Sequence, residues 1–356
     1  MRIAFVNATR KWGGVKTWTL DFAERLAAFG HDVRVYGRQP EFVAEARRRV
    51  GHGAPVNFGC DLNPAAVAHF LRAFRQQRTD IVILNIGKDL ATAGVAARLL
   101  GIPVVQRIGL PNDIPARLKT RLLHAWVRPV FLCPCRYIAD GFVHSLPYVN
   151  PADVHVVLNG KTPSTAPLAA HAPRRLIATQ QLNPDKNHET LLRALAAINA
   201  PFELHMVGTG SEEVRLRGLA ASLGLADRTL WHGFSTDVPG LLAQADIFLL
   251  ASRSEGLPNT LLEALAQGLL PVARDVGGVR EVFTPELERW LLPYDSGPDA
   301  FTDVLRAALT LSDDDLLAAR LAAREACRTR CALDAKAREL EGWLAGQIAA
   351  HAAHRA

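Results

Sequence analysis

Long apolar runs are missing from this chain: no stretch reaches the roughly 18 residues a helix needs to cross a bilayer. The opening MRIAFVNATRKWGG is a short strand-like run followed by a glycine turn, without the apolar stretch and small-residue cleavage site of a secretory leader. A cytoplasmic protein is therefore expected. Cysteine is scarce: Cys60, Cys133, Cys135, Cys327 and Cys331 are the five in 356 residues. An odd count in a long chain argues against a disulfide framework. No histidine pair lies beside them at zinc-finger spacing, so reduced, structural thiols are expected. The carboxylates form no cluster suited to a divalent metal, and no bound metal is expected. Asp313, Asp314 and Asp315 are consecutive and suit a solvated helix start, where Asp is favoured. There is no internal repeat beyond two similar domains, and no low-complexity tail apart from the final HAAHRA.

What is present describes a folded globular protein. The hydrophobic fraction is 49% and the charged fraction 21%, which excludes a disordered chain. The length suits two domains, each able to bury a core. Charge is unevenly shared. Residues 1–165 hold 22 Lys and Arg against 11 Asp and Glu, a net +11, while 166–356 hold 19 against 24, a net −5. A basic half fits an acidic surface or substrate, such as anionic lipid or a phosphorylated glycolipid, or it is a plain solvated surface. No helix-turn-helix or RNA-binding module is visible, so no nucleic-acid partner is expected.

Strand and helix patterns alternate. RIAFVNA reads as a strand, and VKTWTLDFAERLAAFG as a helix with Trp18, Phe22, Leu26 and Phe29 at three- and four-residue spacing. HDVRVY, TDIVILN and IPVVQRI follow as strands, with the helix DLATAGVAARLLG between the last two; RYIADGF and HVVLN read as further strands. KTPSTAPLAAHAPR reads as a linker. RLIATQ, FELHMVG, LWHGF, DIFLLAS and LLPVARDV restart the pattern, and an alanine-rich helical stretch closes the chain. Short strands alternating with helices imply α/β domains with parallel sheets.

The densest chemistry lies in SRSEGLPNTLLEALAQG, after the strand DIFLLAS. Glu255 falls in a loop and Glu263 about one and a half turns into a helix, at the carboxyl end of a strand, where open α/β sheets bind ligands. Pro258 suits the first helical position, and the helix start can hold phosphate. Taken alone, the pair could equally be two solvated glutamates. Gly277 and Gly278 form a second turn nearby in sequence, and Gly13 and Gly14 follow the first strand, letting backbone amides approach a ligand. Lys186 follows a strand and precedes a helix. Gly208 and Gly210 read as structural, with Ser211 as a helix cap.

SEGLPNTLLEALAQGLLPVARDVGGVREV resembles the glutamate–seven residues–glutamate block of the family-4 glycosyltransferases. WGGVKTWTLDFAERLAAFGHDVRVY resembles that family's amino-terminal glycine loop, helix and strand, and DKNHETLLRALA its lysine-bearing turn. The resemblance implies the GT-B fold: two Rossmann-like parallel-sheet domains facing a central cleft. It assigns 1–165 to the acceptor side, with a crossover helix at about 336–356, and 166–335 to the donor side. It implies a retaining transfer from a nucleotide sugar, a UDP-sugar, to a glycan or glycolipid acceptor in lipopolysaccharide or cell-envelope polysaccharide synthesis, with no cofactor.

By the same resemblance, Glu255 lies by the transferred sugar and Lys186 on the donor diphosphate. Gly256 and Leu257 line the sugar and phosphates, Glu263 takes the ribose hydroxyls, and Gly13, Gly14, Gly277 and Gly278 approach the donor. Two departures stand out. The family's Gly-Arg before the lysine turn is here Gln180-Gln181; Gln181 can donate hydrogen bonds but carries no charge, leaving Arg253 or Arg280 to supply it. The family's first-domain histidine is absent, leaving Arg107 and Asp113, with Lys88 and Asp89 on the neighbouring strand end, as acceptor-side candidates. Asp89 could equally cap a helix. These departures keep a second reading open: a catalytically impaired nucleotide-sugar-binding partner subunit. Finally, PARLKTRLLHAWVRP places Leu118, Leu122 and Trp126 four apart among Arg117, Lys119, Arg121 and Arg128. The stripe can pack on its own domain or meet an anionic membrane face, making the protein peripheral on the inner side of the cytoplasmic membrane.

Overall fold

In the computed structural model, which describes residues 1–353, the chain divides into two units. Met1–Asn159 join the chain from Leu333 onward in the first, and Gly160–Ala332 form the second. The closing helix, Leu333–Ala353, thus belongs to the first unit although it follows the second in sequence. Positions 354–356 of the expected 336–356 segment lie outside the described residues. The stretch read as a linker, KTPSTAPLAAHAPR, falls inside the second unit.

The first unit carries a seven-stranded sheet ordered β3-β2-β1-β4-β5-β6-β7. Its strands are β1 (Arg2–Asn7), β2 (Asp32–Gly37), β3 (Gly53–Pro55), β4 (Ile81–Leu84), β5 (Val104–Arg107), β6 (Val130–Cys133) and β7 (Val154–Val156). All pair in parallel. Alternate residues of β1 point to opposite faces, as the pleat requires. Ile3 and Phe5 pack with Trp18, Phe22 and Leu26 of the helix Gly14–Ala28, and with Leu333, Leu340 and Leu344 of the closing helix. Ala4 and Val6 pack on the other side with Phe70, Phe74 and Leu90. Being buried on both faces explains the continuous apolar reading of IVIL in β4.

Two local expectations are corrected. RYIADGF is not a strand but part of the helix Arg136–Ser145, which buries Ile138, Ala139 and Phe142 at one- and four-residue offsets. The sheet instead takes VFLC, just before it. The expected helix DLATAGVAARLLG forms, but Leu90–Gly94 within it is wound as a π-helix between two α segments.

The second unit carries a six-stranded sheet ordered β10-β9-β8-β11-β12-β13. The strands are β8 (Arg174–Ala178), β9 (Phe202–Val207), β10 (Thr229–Gly233), β11 (Ile247–Leu250), β12 (Leu270–Arg274) and the unforeseen β13 (Leu291–Leu292). All pair in parallel. Just before β11, the fully buried Asp246 pairs with Arg320 at 2.7 Å and accepts the Arg175 N–H at 2.9 Å. Losing one partner of such a pair costs about 3–5 kcal/mol, because the other charge stays buried. Asp313, Asp314 and Asp315 open the helix Asp313–Arg330, capped by the Ser312 hydroxyl, which accepts the Asp315 N–H.

Candidate active site

Adjacency of β8 and β11 in the second sheet brings the lysine turn and the first glutamate together. After β8 the chain turns through Pro184–Lys186. Asn187 then takes the left-handed region at φ 53°, a conformation Asn tolerates. Its amide donates to Thr190 Oγ1 at 2.8 Å and to the Ala251 carbonyl at 3.3 Å. The Arg253 N–H donates to the Asp185 carbonyl at 2.8 Å. So fixed, Lys186 Nζ donates to Glu255 Oε1 at 2.9 Å and lies 3.0 Å from Asp185 Oδ2. Burial pulls the Lys186 ammonium down, but Glu255 and Asp185 outweigh it and hold it above its ordinary value.

The helix Asn259–Gln267 follows, with Pro258 one place earlier than expected, at the cap. Gly256 and Leu257 are buried at its approach. Gly277 has φ +62°, and a Cβ there would meet the carbonyl oxygens of Glu255 and Gly256; the Gly278 N–H donates to the Gly256 carbonyl at 2.6 Å. The double glycine therefore braces the loop that carries Glu255, and a side chain at Gly277 would push that loop away. Lys186, Glu255, Gly256, Leu257, Gly277 and Gly278 form one group.

Glu263 is engaged elsewhere: its Oε1 lies 3.0 Å from Lys161 Nζ. Lys161 went unnoticed in the sequence because a lysine in a proline-bearing stretch carries no periodic signal. Gln180 is buried and donates to the Leu249 carbonyl at 3.2 Å, tying β8 to β11. Gln181 is exposed, its side-chain oxygen accepting from Asn183 Nδ2 at 3.0 Å. Of the two candidate replacement cations, Arg280 is held by Asp275 at 2.6 Å and by Glu288. Arg253 has no ion-pair partner among the described residues and borders a small cavity of about 220 Å³ shared with Asn183 and His188. His188, also missed, is buried; it donates from Nε2 to the Gln181 carbonyl at 3.1 Å, and burial pushes it down to about 4. A Cβ on Gly208 or Gly210 would strike the carbonyls of Gln180 and Leu182, the expected structural role. Ser211 is not a cap: the next helix starts at Glu213, behind Glu212.

In the first unit, Gly13 and Gly14 are exposed, with open space where a Gly13 side chain would stand. Their loop is held from beneath by Lys16, which is fully buried and donates to the carbonyls of Thr9 at 2.9 Å and Lys11 at 2.7 Å. Asp89 needs correction as an acceptor contact. It is 0% exposed and accepts three backbone N–H groups, from Ala8 at 2.8 Å and from Asn85 and Ile86 at 3.0 Å. The carboxylate joins the ends of β1 and β4 instead. Burial pushes it up to about 7, against those three donors. Lys88 pairs with Asp61 at 2.5 Å. Arg107 is 5% exposed, with its guanidinium 4.6 Å from the Trp18 ring centroid. Burial lowers it to about 10 although Asp113 opposes this. Asp113 is exposed and accepts the Gly109 and Leu110 N–H groups, shaping its own turn.

The helix Leu118–Val127 does not pack its four-spaced stripe inward. Leu118, Leu122 and Trp126 are 73%, 60% and 44% exposed, while His124 and Val127 are buried.

Two family models divide the chain: the one described as Glycosyltransferase Family 4 matches residues 12–163, and Glycosyl transferases group 1 matches 165–326. The chain is similar to the Vi polysaccharide biosynthesis protein VipC/TviE of Salmonella typhi, 36% identical over 59% of this chain and 41% of that one. It is also similar to the N-acetylgalactosamine-N,N'-diacetylbacillosaminyl-diphospho-undecaprenol 4-alpha-N-acetylgalactosaminyltransferase of Campylobacter jejuni, 30% identical over 44% of this chain and 41% of the relative. It thus spans 41% of the length of each of these curated relatives. Among solved structures, Anabaena Alr3699/HepE in complex with UDP shares the fold at a TM-score of 0.81 and 17% identity, over 97% of this chain and 100% of that one.

Proposed function

From a chain that belongs, by both of its domains, among the GT-B glycosyltransferases, we propose a retaining transfer of sugar from a nucleotide sugar, a UDP-sugar, to a glycan or glycolipid acceptor. The product would serve lipopolysaccharide or another cell-envelope polysaccharide. Relatives named for polysaccharide synthesis and for transfer to a diphospho-undecaprenol support the acceptor class, and the fold shared with a UDP-bound protein supports the donor.

The observation that carries the reading is the Lys186–Glu255 pair at 2.9 Å, beside an Arg253 without an ion partner among the described residues and ahead of a helix start. In the reaction the bond from the sugar to the diphosphate breaks, leaving positive charge on the sugar and negative charge on phosphate. Preorganised donors at that developing charge are the largest expected catalytic term. Lys186 would meet the diphosphate, Arg253 would supply the charge missing from Gln180-Gln181, and Glu255 would stand beside the sugar. Glu263 would reach the ribose while sharing its carboxylate with Lys161. Departure and attack would occur on one face of the sugar, the leaving phosphate helping to deprotonate the acceptor, so no protein nucleophile is assigned. In this reading the cations and amides offset the charge on the diphosphate, and no bound metal is proposed. The exposed stripe Leu118, Leu122 and Trp126, flanked by basic residues, favours residence at an anionic membrane surface.

The test is UDP release and product formation by the purified protein with UDP-glucose, UDP-galactose and UDP-N-acetylgalactosamine over a panel of glycan acceptors. Acceptor-dependent release with a retained anomeric configuration is expected. UDP binding without turnover across the panel, with affinity unchanged in Glu255→Ala, would favour the non-catalytic binding subunit. Absence of UDP binding would remove both readings.

A further inference from the structure

A bay of about 550 Å³, open to solvent, lies at the carboxyl ends of β2 and β3, lined by Arg10, Arg38, Pro55, Val56, Asn57 and Gly59. That volume lies in the range of sites that hold small ligands. Two of its six lining residues are arginines and none is a carboxylate. Neither arginine has an ion-pair partner among the described residues. The nearby Asp61 serves Lys88 and Lys119 instead. Asp89 attracts Arg38 from a distance, but its oxygens are taken by three backbone N–H groups.

The bay is also prepared in shape. The Arg38 guanidinium lies 5.6 Å from the Phe58 ring centroid, an arrangement that steadies a planar cation. Phe58 is fully buried and packs on Phe70. The loop bearing Arg10 is fastened on both sides of that residue, since Lys16 donates to the carbonyls of Thr9 and Lys11. Guanidinium groups bind oxyanions with paired hydrogen bonds. Here two arginines line one concave space, and neither has an ion-pair partner among the described residues.

We infer that this bay binds an oxyanion, a phosphate or a carboxylate, carried by the acceptor. The inference rests on the transferase reading, which gives the first unit the acceptor. It narrows the acceptor class from any glycan to one bearing a negative charge. It also separates two tasks: cations of the second unit meet the donor diphosphate, and Arg10 and Arg38 select the molecule that receives the sugar.

Two measurements test it. In the first, the full chain is titrated calorimetrically at low salt with inorganic phosphate and, separately, with sodium glucuronate. Arg10→Gln and Arg38→Gln are compared with Arg72→Gln, a charge control on the exposed side of the helix Pro64–Gln77. Binding of at least one anion is expected, weakened about 10-fold or more in each bay variant, as for a lost hydrogen bond to a charged group, and unchanged in the control. Equal affinity in all four proteins, or binding of neither anion, overturns the proposal. Should Arg38→Gln not fold, Arg10→Gln, on an exposed loop, decides alone. In the second, transfer is measured to matched acceptors that are neutral, phosphorylated or uronate-bearing. KM for the preferred charged acceptor should rise about 10-fold in Arg10→Gln relative to the neutral one, and the preferred acceptor names the source of the oxyanion. A wild-type enzyme that transfers equally to all three overturns the bay's role and leaves the transferase standing. Failure to bind any UDP-sugar removes the transferase reading, while the titration still decides the bay.

Discussion

Lys186 shows how much one cation depends on its surroundings. Its ammonium is shared between Glu255 and Asp185, so the two carboxylates hold it in place. Replacing it with alanine removes the positive charge and leaves Glu255 without its closest cation. Turnover of a UDP-sugar should fall 100-fold or more, the usual cost of losing one preorganised donor. Unchanged turnover, measured as UDP release, would remove Lys186 from the diphosphate. Both residues were legible as candidates, because each stands in a recognisable motif. Their mutual contact was not, because it depends on β8 and β11 lying side by side although about 70 residues separate Lys186 from Glu255. Asp89 teaches the converse. Its position at a strand end marked it for the acceptor, and only burial revealed a carboxylate occupied by backbone amides.

At the scale of an element, the helix Leu118–Val127 holds two competing apolar sets. Val127 with the buried His124 faces the sheet, and the four-spaced Leu118, Leu122 and Trp126 face outward. The sequence displays both sets, and the facing of a ten-residue helix is decided by which set the neighbouring strands can cover. An exposed apolar stripe beside Arg117, Arg121 and Arg128 should bind vesicles containing anionic lipid. Leu122→Glu should weaken co-sedimentation with such vesicles about 10-fold, since it replaces apolar area that would enter the membrane face with a charge. Equal binding to neutral and anionic vesicles, or none to either, would sink the membrane role. RYIADGF shows the same ambiguity in another form: a short apolar run reads as strand or helix until its partners are known.

Across the whole molecule, acid sensitivity should be built into both units. His124 in the first and His188 in the second are each pushed down to about 4 by burial, against about 6.5 in an unfolded chain. Their folded values lie below the unfolded ones, so the stability they contribute is complete above pH 6.5 and is lost as pH falls toward 4. Asp89 acts in the opposite sense: its folded value of about 7 exceeds the ordinary one, so its contribution belongs to low pH and fades as pH rises through 7. The first unit is therefore partly compensated, while His188 lacks such an offset. The urea midpoint should drop between pH 7 and pH 5, with a loss on the order of 1–3 kcal/mol for each histidine. His188→Gln should flatten that dependence; a wild-type midpoint independent of pH would refute the account.

Periodicity, glycine turns and a helix-opening run of aspartates are properties of residues close in the chain. The amino-acid sequence alone therefore determined most of the alternating elements, the parallel α/β domains, and the lysine turn and the glutamate block as separate candidates. Tertiary structure alone decided that Glu263 meets Lys161, that Gly277 braces the Glu255 loop, that Asp89 is sealed from solvent, and that Arg10 and Arg38 share one bay. Those outcomes follow from strand order and from which faces are covered. Both depend on contacts between residues far apart in the chain, and spacing along it carries no record of them.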